Sequence, residues 1–292
     1  MFQEKQRRCY LPTVDGCATF YKLNQFDLIE SWWINLSDFA QGFPRFQKDN
    51  IALNLILSFK NSTEQQRLCI VNTHIHAKPT NCDVKLWQVQ YLLNNLHAFV
   101  HNENSSDIIP LVLCGDFNSL PGSAPHTLLT KGYIYPFHKE ILDYDPYGEL
   151  QLAQRFYNTL PLASAYSSYS VSDEAEMEKT MNRKTGEPHF TNVSKNFQGT
   201  LDYIFHTATN LNVVSLLQLI DQKEVKHAGL PSLTHSSDHI PIAAKFQYVH
   251  STPKPESFAA AAVSPNKLNS ITLQTVVLPR FECLKLCSSE SE

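Results

Sequence analysis

Two apolar segments, an amphipathic helix and a third apolar segment constrain this fold more than any other feature of the sequence. IALNLILSF (51–59) and RLCIVNTHIH (67–76) flank a polar turn, which predicts a β-hairpin. In DVKLWQVQYLLNNLHAFV (83–100), apolar residues recur at helical spacing, and Asp83 is the predicted cap. A buried strand, IIPLVLCGDF (108–117), follows. This order predicts an α/β fold whose ligands lie beyond the strand ends.

The remaining segments extend this pattern. DGCATFYK (15–22) and the apolar run at 211–220 predict strands, and FQGTLDYIFHT (197–207) predicts one strand with an aspartate in its middle. Residues 236–249 predict a loop that leads into a final strand. Residues 133–187 have weak periodicity, which predicts a long irregular insertion of the kind that covers sites.

Composition indicates a soluble protein with one large domain. The chain has 292 residues, 42% of them hydrophobic and 18% charged, and a net charge of −4, which neither indicates nor excludes a nucleic-acid partner. Seven cysteines without a Cys-x-x-Cys pair indicate reduced thiols, and no segment reaches membrane-spanning length. We therefore expect a cytoplasmic or nuclear protein with a domain at 1–249 and a flexible tail at 250–292.

Polar residues stand at the ends of several predicted strands, where burial without a partner is costly. Each has an ordinary structural interpretation: Asp116 and Asn118 start a turn, His74 is a core histidine, Asp202 pairs with a cation, and Asp238 caps a strand. Each of these interpretations is favoured when a residue is taken alone. The complete set is Asn72, His74, Asp116, Asn118, Asp202, Asp238 and His239.

Taken together, these residues fit metal-assisted phosphodiester hydrolysis. Carboxylate and amide oxygens of Asp116, Asn118 and Asp238 are hard ligands suited to Mg²⁺, with Mn²⁺ as the alternative. The histidines supply an acid, a base or a phosphate donor, and a further aspartate can hold an imidazole in one tautomer. Spacing alone does not show that these segments converge.

NTHIH, GDFNS, LDYIF and SDHIPI, in this order, resemble the endonuclease/exonuclease/phosphatase superfamily. More narrowly, VDGCATFYK, DVKLWQVQ, GDFNSLPGSAPHTLL, LPLASAYSSY, EPHFTN and FQGTLDYIF resemble the carbon catabolite repressor type of poly(A)-specific exoribonuclease, or deadenylase. The resemblance covers about residues 2–249. It implies a DNase I-like four-layer α/β sandwich, in which two β-sheets are flanked by helices.

The resemblance implies a role for each catalytic position. Asp116 and Asn118 correspond to the pair around the attacking water and the scissile phosphate. Asp238 and His239 correspond to the terminal pair, whose histidine contacts phosphate and acts as general base. Asp202 corresponds to the aspartate that pairs with this histidine.

The resemblance also implies substrate contacts. His74 corresponds to a histidine that stabilises the phosphate, and Asn72 and Asn192 are further candidate substrate contacts. Pro79 and Phe197 correspond to positions that sandwich the terminal base. Stacking tolerates every base, so a preference for adenine also requires pocket shape and edge contacts.

One part of the pattern is missing. The family has an Asn and a Leu-Gln-Glu motif upstream of the region that resembles MFQEKQR, and its glutamate is the principal Mg²⁺ ligand. Glu4 lies downstream of that position and does not replace it. We therefore expect an N-terminally incomplete domain with weakened Mg²⁺ binding. A fragment of an active enzyme and a degenerate paralogue both fit this pattern.

Three functions follow from the resemblance. The first is a Mg²⁺-dependent 3′–5′ exoribonuclease that shortens poly(A) tails and releases 5′-AMP. The second is a phosphodiesterase of the same fold acting on 2′,5′-oligoadenylate or a small phosphoester. The third is an inactive RNA-binding or scaffold protein. A deadenylase complex is an expected partner besides poly(A) RNA, although this sequence has no leucine-rich repeat of the kind that docks family members there.

Overall fold

A six-stranded mixed β-sheet is the central element of the structure, a computed structural model that describes residues 2–7, 16–60, 66–101, 108–149, 151–169, 174–225, 229–233, 235–249 and 270–271. The strands are β1 (Phe2–Arg7), β2 (Gly16–Tyr21), β3 (Phe26–Asn35), β4 (Ile51–Phe59), β5 (Arg67–His74), β6 (Leu111–Asp116), β7 (Leu162–Ser164), β8 (Met181–Asn182), β9 (Glu187–Pro188), β10 (Asn192–Ser194), β11 (Phe197–Gly199), β12 (Asp202–Thr207), β13 (Leu211–Leu216), β14 (Ala244–Tyr248) and β15 (Ser270–Ile271). The α-helices are α1 (Cys82–Val100), α2 (Ala124–Lys131), α3 (Lys139–Leu142), α4 (Leu152–Arg155), α5 (Glu174–Thr180) and α6 (Gln222–Val225).

The main sheet has the order β3-β4-β5-β6-β12-β7. The predicted hairpin is present, because β4 and β5 pair antiparallel, and β5 and β6 pair parallel with α1 between them in the chain. The capping prediction was wrong: the cap residue is Asn81, and Asp83 lies in the first turn, 2.6 Å from Arg45 Nε. The predicted single strand at 197–207 is two strands, so Asp202 begins β12 instead of lying mid-strand.

Both faces of the central strands β4, β5, β6 and β12 are buried, which explains why these strands have continuous apolar sequences. Cys69 and Val71 of β5 face a core shared with α1 and α2, whereas Leu68 and Ile70 face a second core shared with β2, β13 and β14. Alternate residues of β6 and β12 divide between the cores in the same way. The predicted α/β fold, with stacked sheets flanked by helices, is confirmed. Within the described residues no helix is both long and apolar enough to cross a membrane.

Residues 133–187 contain short elements, α3–α5 and β7–β9, joined by irregular segments, as the weak periodicity predicted. The predicted tail at 250–292 lies outside the described residues except for β15, which pairs antiparallel with β14. The predicted domain end at 249 therefore stays a prediction.

His206 of β12 makes the stability of this core dependent on pH. The side chain is 3% exposed, and burial lowers its pKa to about 4, although a backbone hydrogen bond with Ala163 opposes the shift. The unfolded chain has a histidine pKa of about 6.5, so it binds a proton first as the pH falls. We expect protonation of this histidine in the unfolded chain to remove about 3 kcal/mol of stability as the pH falls from about 6.5 to 4.

Chemical denaturation of the protein and of His206→Phe at pH 7 and pH 4.5 measures this contribution. The variant is expected to lose less stability than the parent over that interval, because the remaining titrating groups are common to both. Equal losses in the two proteins would contradict a neutral buried His206.

Candidate active site

Gly115 allows β6 to approach β5 closely just before the first candidate residue. Thr73 and Gly115 are paired in the parallel register, and the glycine has φ +145°. A Cβ atom at this position would lie 1.9 Å from the carbonyl oxygen of Thr73. The glycine of the GDFN motif is therefore required by the close approach of two backbones, and it fixes Asp116 opposite His74 at the ends of their strands.

Asp116 uses its two carboxylate oxygens differently. Oδ1 accepts a hydrogen bond from the backbone N–H of Asn118 at 2.8 Å, and Asn118 has φ +47°, a conformation that asparagine tolerates. Oδ2 lies 3.5 Å from His74 Nε2 and 3.9 Å from His239 Nε2. Oδ1 thus confirms the turn interpretation of this motif, and Oδ2 faces the two candidate histidines.

His239 belongs to a hydrogen-bonded series that begins in the core. Its Nδ1 lies 2.7 Å from Asp202 Oδ2, which also accepts a bond from the hydroxyl of Thr191 at 2.7 Å. Thr191 is fully buried, and its Oγ1 accepts the backbone N–H groups of Leu201 and Asp202 at 2.9 Å each. An ionised Asp202 selects the His239 tautomer with a proton on Nδ1, which directs Nε2 towards Asp116.

Negative charge is concentrated at the ends of β6 and β12, because Asp116 and Asp202 are directly opposite each other in the register of these strands. Burial, and next the charge of Asp202, raise the pKa of Asp116 to about 7. Burial lowers the pKa of His239, but its hydrogen bond to Asp202 and the charges of Asp202, Asp116 and Asp238 outweigh burial and raise it to about 9. The imidazolium of His239 therefore stabilises the opposed carboxylates.

A metal ion has suitable ligands here. Asp116, Asp202 and His239 each place one ligand atom within 4.8 Å of the others, and Asp202 Oδ1 is buried without a hydrogen-bond partner in the described part of the chain. Two carboxylates and an imidazole fit a divalent cation. This group includes Asp116 of the predicted ligand set Asp116, Asn118 and Asp238. Asp238 Oδ2 accepts a bond from Asn192 Nδ2 at 3.2 Å, and the ligand roles of Asn118 and Asp238 stay predictions.

The predicted asparagines make structural hydrogen bonds around the site. Asn118 Nδ2 donates to the carbonyl oxygen of Ile75 at 3.0 Å, and Asn72 Nδ2 donates to the carbonyl oxygen of Ala18 at 2.9 Å, which ties β2 to β5. Asn192 pairs with His239 as an isolated β-bridge. Their contacts with substrate stay predictions.

The two predicted base-stacking residues are exposed. Pro79 lies in the loop before α1, and Phe197 begins β11. A Cβ atom on Gly199 would lie 2.9 Å from Phe197 Cζ and 2.6 Å from Leu120 Cδ2, so these two side chains flank the glycine. Leu120 was not predicted as a site residue. In the sequence, the one indication was an apolar leucine directly after GDFNS, in a loop that is expected to face solvent.

Lys85 is a second residue that the sequence reasoning missed. It is 6% exposed on α1, and its Nζ donates to the carbonyl oxygen of Asn118 at 2.5 Å. Burial lowers the pKa of this lysine, and the nearby Cys82, Glu140 and Asp116 oppose that change. Lys85 therefore bonds to the turn at Asn118 and places a positive charge near Asp116.

Lys85→Met is expected to cost about 1–3 kcal/mol of stability, because the Asn118 carbonyl loses its charged donor while remaining partly enclosed. Turnover is expected to fall about 10²-fold through displacement of the turn. Urea denaturation measures the change in stability, and single-turnover hydrolysis of a phosphodiester substrate measures the change in rate. Lys223→Met, at an exposed position on α6, is the control, and turnover equal to that of the control would contradict the positioning role.

A two-sheet α/β fold that sets a histidine–aspartate pair against a second carboxylate at its strand ends defines a hydrolase-type site. The model of the "Endonuclease/Exonuclease/phosphatase family" matches residues 12–239. The chain belongs to this family of nuclease- and phosphatase-type hydrolases.

Curated relatives narrow the comparison. The chain is 37% identical over 276 residues to Carbon catabolite repressor protein 4 homolog 1 of Arabidopsis thaliana, which covers 85% of this chain and 45% of the relative. It is 33% identical over 252 residues to the CCR4-Not complex 3′-5′-exoribonuclease subunit Ccr4 of Kluyveromyces lactis, covering 80% and 29%. The chain thus spans less than half the length of these relatives.

A solved structure of similar fold is that of ANGEL2, described as a 2′,3′-cyclic phosphatase, in complex with adenosine-2′,3′-vanadate. The two share 25% identity with a TM-score of 0.66, covering 84% of this chain and 74% of that chain. The human Nocturnin catalytic domain, at 23% identity and a TM-score of 0.57 over 85% of this chain and 72% of that one, shares the fold.

Proposed function

We propose that this chain is the catalytic part of a Mg²⁺-dependent 3′–5′ exoribonuclease that shortens poly(A) and releases 5′-AMP. The observation that carries the proposal is the Thr191–Asp202–His239 series, with bonds of 2.7 Å and 2.7 Å, directed at Asp116. Such a series prepares an imidazole for proton transfer in a reaction at phosphorus. The relatives named as 3′-5′-exoribonuclease subunits support RNA as substrate.

The side chains divide the work of in-line attack. Asp116 and the turn at Asn118 orient the water, His239 Nε2 takes its proton, and Asp202 stabilises the imidazolium that forms. His74 Nε2, 3.5 Å from Asp116 Oδ2, donates to the phosphate oxygen that gains charge. A divalent cation held by the Asp116 and Asp202 carboxylates would neutralise phosphate charge and offset the negative charge around His239. This would favour the neutral imidazole that a base needs and leave Nε2 free to take the proton.

Further parts of the proposal concern recognition. Pro79 and Phe197 hold the terminal base, with Asn72 and Asn192 as polar contacts, and Asp238 orients Asn192 through the bond at 3.2 Å. Association with a deadenylase complex is supported by relatives whose names make them CCR4-Not subunits. A location in the cytoplasm or nucleus is part of the same proposal. Mn²⁺ is the alternative cofactor, because oxygen ligands accept both ions.

The test is AMP release from an oligonucleotide with a 3′ poly(A) tail, in Mg²⁺, in Mn²⁺ and in EDTA. The folded protein is compared with Asp116→Ala and with Asp143→Ala, whose aspartate is exposed on the C-cap of α3. Mg²⁺-dependent release is expected in the parent and in Asp143→Ala and is expected to be lost in Asp116→Ala. Well-folded parent protein that binds poly(A) without releasing AMP would overturn the enzymatic proposal in favour of an RNA-binding role.

Substrate comparison tests the linkage and the base. Release of 5′-AMP from 3′,5′-linked poly(A) is expected to exceed release of 5′-UMP from poly(U) and release of 5′-AMP from 2′,5′-linked oligoadenylate. It is also expected to exceed the rate at which an adenosine 2′,3′-cyclic phosphate end is opened to a phosphomonoester or free hydroxyls. Preference for the 2′,5′ linkage or for the cyclic phosphate would replace poly(A) with that substrate while leaving the hydrolytic site assignment intact.

A further inference from the structure

An exposed strip of aromatic side chains lies beside the site on the segment that follows α2. Tyr133, Tyr135 and Phe137 are 49%, 51% and 85% exposed, whereas Ile134 between them is buried at 3%. The rings of Tyr133 and Tyr135 are in contact, with centroids 5.1 Å apart and hydroxyl oxygens 3.1 Å apart. Phe137 follows in a turn, in which the N–H of His138 donates to the carbonyl oxygen of Tyr135 at 2.9 Å. We call Tyr133, Tyr135, Phe137 and the neighbouring Tyr157, which is 61% exposed, the aromatic strip.

Hydrogen bonds hold the backbone that carries the strip in place. Tyr133 and Tyr157 form an antiparallel bridge, and Asn158 N–H donates to the carbonyl oxygen of Gly132 at 2.8 Å. The buried side chain of Gln90 on α1 accepts the N–H of Tyr157 and donates to its carbonyl oxygen, each at 3.0 Å. Solvent-exposed rings on a backbone this firmly bonded form a fixed surface, which favours binding because little entropy is lost.

The strip runs towards the catalytic loop. Tyr133 follows the last turn of α2, whereas His138, beyond Phe137, donates from Nε2 to the carbonyl oxygen of Gly122 at 2.9 Å, just ahead of the first turn. Gly122 is four residues from Asn118 in the same loop. The strip therefore spans the length of α2, about 12 Å, and its Phe137 end is beside the site.

Charge on the strip suits phosphates. Lys131, Lys139 and Arg155 are exposed, and each is two residues from a strip aromatic. The nearest acidic residue in the sequence, Glu140, uses Oε2 to accept the N–H of Ala124 at 2.7 Å, so this oxygen is directed at α2. Aromatic faces alternating with cations are the features that bind single-stranded nucleic acid without sequence preference.

We propose that the aromatic strip binds the single-stranded RNA upstream of the nucleotide being cleaved, with bases stacked on its rings and phosphates against Lys131 and Arg155. This inference rests on the proposed action on RNA and adds a second binding region to it. Substrates that reach the strip bind more tightly than short ones, and removing the rings weakens the binding of long RNA selectively.

The experiment measures the Kd of fluorescent A20 and A3 RNA by anisotropy in EDTA, where cleavage does not occur. The full chain is compared with Tyr133→Ala/Tyr135→Ala/Phe137→Ala and with a control, Phe20→Ala/Phe43→Ala, which removes two equally exposed rings outside the strip. Loss of stacking, at about 1–3 kcal/mol per base, predicts at least roughly 10-fold weaker A20 binding for the strip variant alone. A3 binding is expected to be unchanged, and Tyr133→Phe/Tyr135→Phe is expected to keep the parent affinity.

Salt and activity measurements separate the remaining outcomes. Lys131→Gln/Arg155→Gln is expected to reduce the slope of log Kd against log salt by about 1.4, or about 0.7 per lost phosphate contact. Equal A20 affinity for the strip variant and its control overturns the proposal. AMP release scored on the same proteins keeps the two proposals apart: selective A20 weakening without AMP release supports the strip and contradicts the exonuclease, whereas AMP release with unchanged A20 affinity does the reverse.

Discussion

Asp202→Asn is expected to reduce AMP release by about 10³–10⁴-fold while the protein stays folded. Asp202 Oδ2 accepts bonds from both Thr191 and His239, and the amide of an asparagine keeps the shape but supplies a donor in place of an acceptor. The amide then stabilises the His239 tautomer with its proton on Nε2, which cannot take a proton from water. Single-turnover rates across pH 6–9 measure the loss.

Thermal unfolding supplies the structural control for this variant. Asp202 is 2% exposed, pairs with His239 and opposes Asp116, so neutralising it removes one buried ion pair together with one like-charge contact. Tm is therefore expected to fall by a few degrees, with the variant still folded at the assay temperature. Asp143→Asn, at an exposed aspartate, is the matched variant and is expected to keep parent activity. An Asp202→Asn rate within 10-fold of the parent would contradict the assignment of His239 as a base positioned by Asp202.

Gly115→Ala is expected to have the largest effect on folding, at least about 4 kcal/mol of destabilisation. The added Cβ would meet the Thr73 carbonyl oxygen at 1.9 Å, and an oxygen of the backbone cannot move aside without separating β5 from β6. The change therefore breaks the central parallel pair and the site at its end. Soluble yield, circular dichroism and urea denaturation measure the loss.

Gly42→Ala separates backbone strain from this clash. Gly42 also has a positive φ, +84°, but a Cβ there would meet nothing within 4 Å. Its expected cost is about 1 kcal/mol, the penalty for an unusual backbone conformation alone. Similar destabilisation by the two substitutions would mean that the Thr73 contact does not determine the effect at Gly115.

Much of the fold was predictable because both cores are built from local patterns. Continuous apolar runs predicted β4, β5 and β6, and helical periodicity predicted α1. β3 was missed: its exposed positions interrupt the apolar pattern, and an irregularity between Leu28 and Glu30 shifts its register. The break before Asp202 was missed because FQGTLDYIFHT reads as one continuous β-forming segment.

The candidate site was predictable only in part. The resemblance identified Asp116, Asp202 and His239, and the structure brings these three together within 4.8 Å. Thr191 and Lys85 were missed for a physical reason: their contacts join positions 11 and 33 residues away, and no periodicity marks such a bond. A lysine within a helical pattern is normally assigned to the solvent-exposed face, so the burial of Lys85 was not expected.

Helix α1 sets a fixed distance between two surfaces of the molecule. Lys85 bonds to the turn at Asn118, and five residues further along the same helix Gln90 bonds to the backbone of Tyr157. Five residues of helix rise about 7.5 Å, a length that does not vary because the helix is internally hydrogen-bonded. A shift of α1 along its axis therefore moves the turn at Asn118 and the backbone of Tyr157 by the same amount. The distance between these two surfaces is preserved when their common position changes.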